Sequence, residues 1–322
     1  MNAFRIVFLG TGDIALPVLD SLLHHTTYEL VGVVTQPDRP VGRKQELTPP
    51  EVKVRAEAAG VPVLQPERVR RKAALAEIAA WEADVVVVMA YGQILPNVLL
   101  DMPKVACLNL HASLLPRHRG AAPVQAAIRD GDARSGMTVM YVAEGLDAGD
   151  ILLQHDFELA PDETGQSLHD RLAECSPAAL EEALELLANG QAPRIPQDEA
   201  LATHTGKLTR EHGRLDWAQS AVVLERQVRA FMPWPGSLCG VRLAKSGVKQ
   251  LKVFPPVRVV PLSKPAVPGT IVQRCEDMLV VATVDGGLGL TQVQLEGKKR
   301  VSVKDFVLGH PLNVGDQLSS LG

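Results

Sequence analysis

Residues 5–12 read Arg-Ile-Val-Phe-Leu-Gly-Thr-Gly, an apolar run followed at once by a tight glycine turn. Apolar runs of this kind form strands that are buried on both faces of a parallel sheet. Pro17 then opens a predicted helix through His25, because proline suits the first helical turn. The stretch therefore predicts the strand–turn–helix unit that starts an α/β domain.

The same alternation of strand and helix continues along the first half of the chain. The patterns predict strands over Leu30–Thr35, Asp84–Met89, Val105–His111, Met137–Ala143 and Ile151–Leu159, and helices over Pro66–Trp81 and Ser167–Ala188. The valine-rich run that ends at Met89 is typical of a central strand. Together these elements predict an open, mostly parallel, Rossmann-like sheet.

The pattern changes after Gln191. Residues 191–208 contain proline and threonine with weak periodicity and are interpreted as a linker. Short β-rich runs follow, separated by glycine turns such as Asp285-Gly286-Gly287. We therefore predict a catalytic domain over 1–190, a linker over 191–208 and a small all-β barrel like an oligonucleotide-binding (OB) fold over 209–322.

Composition bounds the kind of protein. The chain has 322 residues, 46% of them hydrophobic and 22% charged, which is typical of two globular domains. No apolar run reaches the roughly 18 residues that would span a bilayer, and the N-terminus lacks a signal-peptide pattern, so we expect no membrane and a cytoplasmic location. The four cysteines lie far apart without metal-ligand spacing, so we expect neither a disulfide framework nor a metal.

Charge is distributed unevenly between the two ends. Residues 207–322 hold 16 lysines and arginines against 9 aspartates and glutamates, a net charge of +7, although the whole chain carries −4. A basic segment in an acidic protein indicates a polyanionic partner for the C-terminal part.

The glycine turn allows a second interpretation. Residues 10–15 match the dinucleotide-binding pattern G-x-G-x-x-A, and Asp38 lies near the distance expected of a ribose-binding acid. Asp38 belongs to a proline-rich loop, however, whereas that acid should end the second strand. The nicotinamide hypothesis therefore remains an alternative to a simple strand-to-helix turn.

The strongest chemical signal is Asn109-Leu110-His111 at the end of a predicted strand. Residues two apart on a strand project from the same face, and ligands bind at the carboxyl edge of an open α/β sheet. An amide there can donate to a developing oxyanion and an imidazole can manage a proton. The turn Gly145-Leu146-Asp147-Ala148-Gly149-Asp150 can aim Asp147 at His111 and orient its ring.

The segments N-x-H-x-S-L-L-P-x-x-R-G (109–120) and G-L-D-x-G-D (145–150) resemble the folate-dependent formyltransferases. The resemblance implies that Asn109, His111 and Asp147 are catalytic and that 10-formyltetrahydrofolate is the co-substrate, with no metal. It also implies a monomer. It places the folate site at three segments: Ser113, Leu114, Leu115 and Pro116; Met89, Ala90 and Tyr91; and Ala143, Glu144 and Gly145.

Two further segments bear on the acceptor of the formyl group. Residues 35–44 resemble a loop that enters the acceptor stem of tRNA in one branch of the family, which implies tRNA contacts for Arg39, Arg43 and Lys44. Residues 215–217 and 229–237 resemble the start of that branch's C-terminal domain. The implied acceptor is the α-amino group of methionine carried by initiator tRNA, in support of translation initiation.

Other hypotheses remain open at this point. A nucleotide-sugar formyltransferase would share the chemistry, and the Pro-Trp-Pro element at 233–235 also occurs in that group. A non-catalytic tRNA-binding protein would keep the fold and lose the reaction.

Overall fold

A computed structural model describes residues 4–42, 44–243 and 247–321. The backbone forms two compact units. The first comprises Met1–Gly120, Ser135–Phe157 and His169–His204, and the second comprises Ala121–Arg134, Glu158–Leu168 and Thr205–Gly322. The proposed boundaries at 190 and 209 stay a prediction.

The first unit is organised by a seven-stranded sheet in the order β10-β9-β7-β6-β1-β2-β5. Its strands and the short strands between them are β1 (Arg5–Gly10), β2 (Glu29–Val34), β3 (Arg39–Val41), β4 (Glu46–Thr48), β5 (Val63–Leu64), β6 (Val85–Met89), β7 (Ala106–His111), β8 (Arg119–Gly120), β9 (Arg134–Tyr141), β10 (Ile151–Glu158) and β11 (His204–Thr205). The pairs β1–β2, β2–β5, β1–β6 and β6–β7 are parallel, whereas β9 runs antiparallel to β7. The open, mostly parallel sheet predicted from the sequence is confirmed.

Burial explains the central position of β6. All five of its residues are buried, and it pairs with β1 on one side and β7 on the other. Valine suits such a strand because its branched side chain packs well on a pleated surface. The register places Val88 beside Asn109, so the carboxyl ends of β6 and β7 lie at one edge of the sheet.

The helices are α1 (Leu16–His24), α2 (Glu51–Ala58), α3 (Lys72–Ala79), α4 (Asn97–Leu100), α5 (Pro123–Asp130), α6 (Gly165–Ala188), α7 (Ala221–Ala230) and α8 (Val303–Gly309). The prediction of one helix over Pro66–Trp81 is wrong, because only α3 is helical. The Gln93 side chain accepts a hydrogen bond from the Val69 backbone at 2.8 Å and donates to the Pro66 carbonyl at 3.0 Å. A distant side chain thus satisfies backbone groups of the segment before α3.

The predicted linker contains regular contacts of its own. Ile195 forms two backbone hydrogen bonds with Ile151, at 2.8 and 3.0 Å, and residues Glu199–Leu201 form a 3₁₀ turn. Through His204, this segment groups with the first unit.

The second unit is built on an antiparallel sheet in the order β14-β15-β16-β13-β12-β18, with β17 paired to β16. Its strands are β12 (Ser237–Leu243), β13 (Gly247–Val260), β14 (Ile271–Arg274), β15 (Leu279–Ala282), β16 (Gly287–Leu295), β17 (Val301–Ser302) and β18 (Leu318–Ser319). The register of β13 against β16 shifts between Phe254 and Val257, where the long strand bends. The result is a curled, half-barrel sheet, which confirms the predicted β-barrel class.

Helices α7 and α8 lie within residues 209–322, so the prediction of an all-β segment there is wrong. Leu224 and Val228 of α7 join the buried core of the unit with Trp217. The sequence does contain a signal for α7: a serine, Ser220, at the N-cap position and apolar residues four apart at Leu224 and Val228. In the structure, the Ser220 side chain accepts a hydrogen bond from the Val223 backbone.

We find no helix in residues 4–42, 44–243 or 247–321 that combines the length and apolar character required to cross a lipid bilayer.

Candidate active site

Asn109 and His111 lie at the carboxyl end of β7. His111 is 6% exposed, and its Nε2 atom lies 3.0 Å from the backbone oxygen of His118. A carbonyl oxygen can only accept a hydrogen bond, so Nε2 carries the hydrogen and Nδ1 is the nitrogen left for proton exchange. The side chain of Asn109 is partly buried and, among the described residues, its amide has no hydrogen-bond partner.

Asp147 lies next to this pair. Its Oδ2 atom is 3.6 Å from Nδ1 of His111 and accepts a hydrogen bond of 2.8 Å from the backbone nitrogen of Gly120. Both His111 and Asp147 are largely shielded, with side chains 7% and 16% exposed. The structure therefore brings together the imidazole and the carboxylate, which are 36 residues apart in the sequence.

The turn that carries Asp147 has a demanding backbone. Asp147 has φ +51° and Gly145 has φ +103°, and the left-handed region is more accessible to aspartate and glycine than to most residues. At Gly149, an added Cβ would lie 1.8 Å from the backbone oxygen of Tyr141. The two glycines of the motif are thus explained by φ at one position and by close backbone approach at the other.

The residues predicted to form the folate site occupy different environments. Met89, Tyr91, Ser113 and Leu115 are buried, whereas Ala90, Ala143, Glu144 and Gly145 are exposed and Leu114 and Pro116 are intermediate. Ser113 donates to the Arg117 carbonyl at 2.7 Å, so its hydroxyl shapes the loop. Burial raises the pKa of the Tyr91 phenol, whose hydroxyl has no hydrogen-bond partner in the described part of the chain.

A cleft of about 410 Å³ lies beside β7. It is bordered by α4, by the start of β7 at Ala106 and Cys107, by the end of β9, and by Ala143, Glu144 and Arg194. Leu100, Cys107 and Val142 provide apolar wall, and the volume is in the range of small-molecule sites. A reduced folate therefore fits this cleft, because the apolar walls suit its pterin ring and the cleft lies next to the strand that carries Asn109.

The predicted tRNA loop forms a small antiparallel hairpin of β3 and β4. Arg39 is exposed, and the Lys44 side chain is 86% exposed with its Nζ 4.0 Å from Glu46. Arg43 lies outside the described residues.

Asp38 and the glycine turn have structural partners. Asp38 accepts hydrogen bonds from Gln65 at 2.7 Å and from Lys53 at 3.2 Å, and the bond from Gln65, followed by Lys53, lowers the pKa of its carboxyl. The backbone nitrogen of Gly12, which a dinucleotide site would direct at phosphate, donates to the Ala90 carbonyl at 3.3 Å. These contacts favour the structural interpretation of the turn over the nicotinamide hypothesis.

Sequence reasoning missed a group of polar residues beside Asp147. Arg119, Gln197 and Glu199 form a hydrogen-bonded chain that ends on the backbone of the Asp147 turn. Arg119 is the arginine of the motif at 109–120, so its place in the motif could have marked it as a site residue. Gln197 lies in the weakly patterned segment 191–208, where no periodicity marks it.

Comparison with known proteins identifies the class. Residues 4–184 match the family model described as formyl transferase, and residues 207–311 match the formyl transferase C-terminal domain. The chain belongs to the formyl transferase family, and the resemblance recognised in its motifs is confirmed.

Individual relatives share nearly the whole chain. A protein named methionyl-tRNA formyltransferase from Akkermansia muciniphila is 46% identical over 307 residues, which are 95% of this chain and 97% of that protein. A protein of the same name from Pseudomonas putida strain GB-1 is 48% identical and covers 94% of each chain. A solved structure of WlaRD, a sugar 3N-formyl transferase, aligns with TM-score 0.63 over 93% of this chain and all of that one, at 16% identity, and supports the fold alone.

Proposed function

We propose that this enzyme transfers the formyl group of 10-formyltetrahydrofolate to the α-amino group of methionyl initiator tRNA. The relatives named for this activity match over nearly their full length, and the models of a formyl transferase and of its C-terminal domain both match this chain. The observation that carries the proposal is the 3.6 Å approach of Asp147 to His111 at the end of the strand that also bears Asn109.

The folate supplies an activated formyl carbon on a nitrogen that can leave. The methionyl amine attacks this carbon in its neutral form, the new carbon–nitrogen bond forms, and the bond to the folate nitrogen breaks. The Asn109 amide donates a hydrogen bond to the charge that develops on the formyl oxygen; one such donor contributes about 2.7–4 kcal/mol in comparable sites.

Proton transfer is assigned to His111 and Asp147. The attacking amine must lose a proton and the departing folate nitrogen must gain one, so the site needs a group that can hold a proton in between. Nδ1 of His111 is available because Nε2 is engaged with the His118 carbonyl. Asp147 orients the ring and balances its charge when it carries the proton, and such acid–base help is worth about 10²–10⁴ in rate.

The cleft beside β7 is assigned to the folate. Ala143 and Glu144 line it, as proposed from the motifs. The other residues that the resemblance implies for the folate site are not among those that border the cleft, and their assignment stays a proposal: Gly145, Met89, Ala90, Tyr91 and residues 113–116. No step in this reaction requires a metal.

The acceptor is assigned to basic surfaces. The hairpin residues Arg39 and Lys44 expose their charge, and Arg43 between them in sequence is proposed to join them. Residues 207–322 carry a net charge of +7, which suits contact with tRNA phosphates. The domain boundaries at 190 and 209, the monomeric state and the cytoplasmic location stay part of the proposal.

One experiment tests the assignment. The protein is incubated with 10-formyltetrahydrofolate labelled in the formyl group and with charged initiator tRNA, and we expect label on methionine. Label on an amino sugar nucleotide offered in its place would assign the protein to sugar formylation. Retention of tRNA without any transfer would instead support a non-catalytic binding protein. Asn109→Ala is the matched control, because it leaves the tRNA surfaces intact.

A further inference from the structure

Gln197, in the predicted linker 191–208, holds the turn that carries Asp147. The Nε2 atom of Gln197 lies 2.9 Å from the backbone oxygen of Asp147 and 2.7 Å from that of Gly149. One side-chain amide thus uses both of its hydrogens on two carbonyls of the same turn. All three residues belong to the first unit.

The orientation of this amide is set by Arg119. The Oε1 atom of Gln197 accepts a hydrogen bond of 3.0 Å from Nε of Arg119. A guanidinium only donates, so the oxygen must face Arg119 and the nitrogen must face the two carbonyls. A flipped amide would place two acceptors against each other and the amino group against a cation.

Arg119 is itself fixed. It is 3% exposed, and its two terminal nitrogens bind the two carboxylate oxygens of Glu199 at 3.0 and 2.7 Å. These hydrogen bonds hold the pKa of Glu199 below its usual range. A buried guanidinium requires a negatively charged partner, and the bidentate pairing with Glu199 restricts rotation of the Arg119 side chain.

The backbone closes the network. Arg119 donates its own N–H to the Thr203 carbonyl at 2.9 Å, and the next residue, Gly120, donates to Oδ2 of Asp147 at 2.8 Å. The turn is therefore held at its carbonyls by Gln197 and at its carboxylate by Gly120.

We propose that Gln197, oriented by Arg119, is a positioning residue that keeps the Asp147 carboxylate beside Nδ1 of His111. The role rests on the proposed function, since it concerns the proton-handling pair of that reaction. Segment 191–204 then acts as a brace for the catalytic turn in addition to connecting the two units. A displacement of about 1 Å in such a group can cost about 10²-fold in rate.

The test replaces the donor without changing the size of the side chain. In Gln197→Glu, the oxygen facing Arg119 is retained, but a second oxygen faces the two carbonyls. We expect kcat to fall by about 10–100-fold, with the Michaelis constants for folate and tRNA changed less than about threefold. Gln191→Glu, the same change at an exposed position of the same segment, is the matched control and should retain full kcat.

A double variant separates positioning from general damage. If Gln197 acts through Asp147, then adding Gln197→Glu to Asp147→Ala lowers kcat by less than about twofold, because coupled residues are not additive. A full, additive loss in the double variant would overturn the proposal, as would an unchanged kcat in Gln197→Glu alone.

A readout that does not depend on turnover keeps the two proposals distinct. The backbone amide of Gly120 donates a hydrogen bond to Asp147. If the turn is released, the hydrogen–deuterium exchange rate of this amide in D₂O, followed by NMR, should rise by about tenfold or more. Gln197→Asn, which is one methylene shorter and stays neutral, should do the same if Gln197→Glu folds poorly. Unchanged Gly120 exchange in a folded variant would overturn the positioning role. If the native protein transfers no formyl group, the proposed function fails and the Gly120 exchange alone decides whether Gln197 holds the turn.

Discussion

The carboxylate of Asp147 lies 3.6 Å from the Nδ1 atom of His111, with its Oδ2 atom also held by a backbone N–H at 2.8 Å. The carboxylate therefore faces the one ring nitrogen that is not engaged with a carbonyl. The proposed proton transfer through His111 and Asp147 depends on this arrangement.

Replacing Asp147 with Asn should lower kcat strongly. The amide keeps the shape of the side chain but removes the charge that balances a protonated His111, so we expect a loss of about 10²–10⁴-fold. Folate binding, measured by fluorescence titration, should change little, because Asp147 is not among the residues that line the cleft. A variant with native kcat would remove Asp147 from the reaction.

Replacing Asn109 with Ala should also act on the chemical step. Loss of one oxyanion donor costs about 10²–10³ in kcat in comparable enzymes. Steady-state kinetics with both substrates varied should show the loss in kcat and not in the folate Michaelis constant. Comparable losses in both quantities would contradict the oxyanion role and indicate a binding role.

Removing positive charge from the hairpin should weaken tRNA binding alone. Arg43→Ala and Lys44→Ala should raise the Michaelis constant for tRNA and leave that for folate unchanged, and native affinity should fall as salt rises. Glu46→Gln should have the opposite effect, since Glu46 lies 4.0 Å from Lys44 and opposes phosphate attraction. Lys72→Ala, an exposed lysine on α3, is the charge-matched control. Equal effects of Lys72→Ala and Lys44→Ala would mean that only net charge matters.

Gly149→Ala should disturb the turn that carries Asp147. The added Cβ would lie 1.8 Å from the Tyr141 oxygen, so the backbone must shift, and overpacking of this kind costs about 1–3 kcal/mol. Urea unfolding should show the lost stability, and kcat should fall with it. Gly206→Ala, where no atom lies within 4 Å of the new Cβ, should leave both unchanged. Native behaviour of Gly149→Ala would show that the turn relaxes freely.

Acid should remove the stabilising contribution of Asp38. Its hydrogen bonds to Gln65 and Lys53 lower its pKa in the folded protein, so the ionised group contributes stability above the unfolded-state value of about 3.9. That contribution is lost as pH falls from there through the folded pKa. Asp38→Asn should therefore be less stable than the native protein at pH 7, and the difference should shrink towards pH 3 in urea titrations. A difference independent of pH would assign the effect to the shape of the side chain.

Local patterns predicted much of the fold for clear physical reasons. The apolar runs at Arg5–Gly10 and Val85–Met89 are buried on both faces, and that environment leaves a direct signature in residue type. Helix α6 could also be predicted from the sequence, because its apolar stripe repeats with the helical period. The conformation of the segment before α3 could not be predicted in this way, because the Val69 backbone N–H donates its hydrogen bond to Gln93, 24 residues away.

Consecutive residues were enough to predict the alternation of strands and helices in the first unit, the β class of the second unit and the family, because burial periodicity and the motifs at 109–120 and 145–150 are local properties of the chain. The tertiary structure was needed to show which ring nitrogen of His111 faces Asp147 and that Gln197 and Arg119 hold the turn in place. These contacts join residues 36 to 78 positions apart through hydrogen bonds of single side chains. Such bonds depend on direction and distance in space, and they leave no periodic trace along the chain.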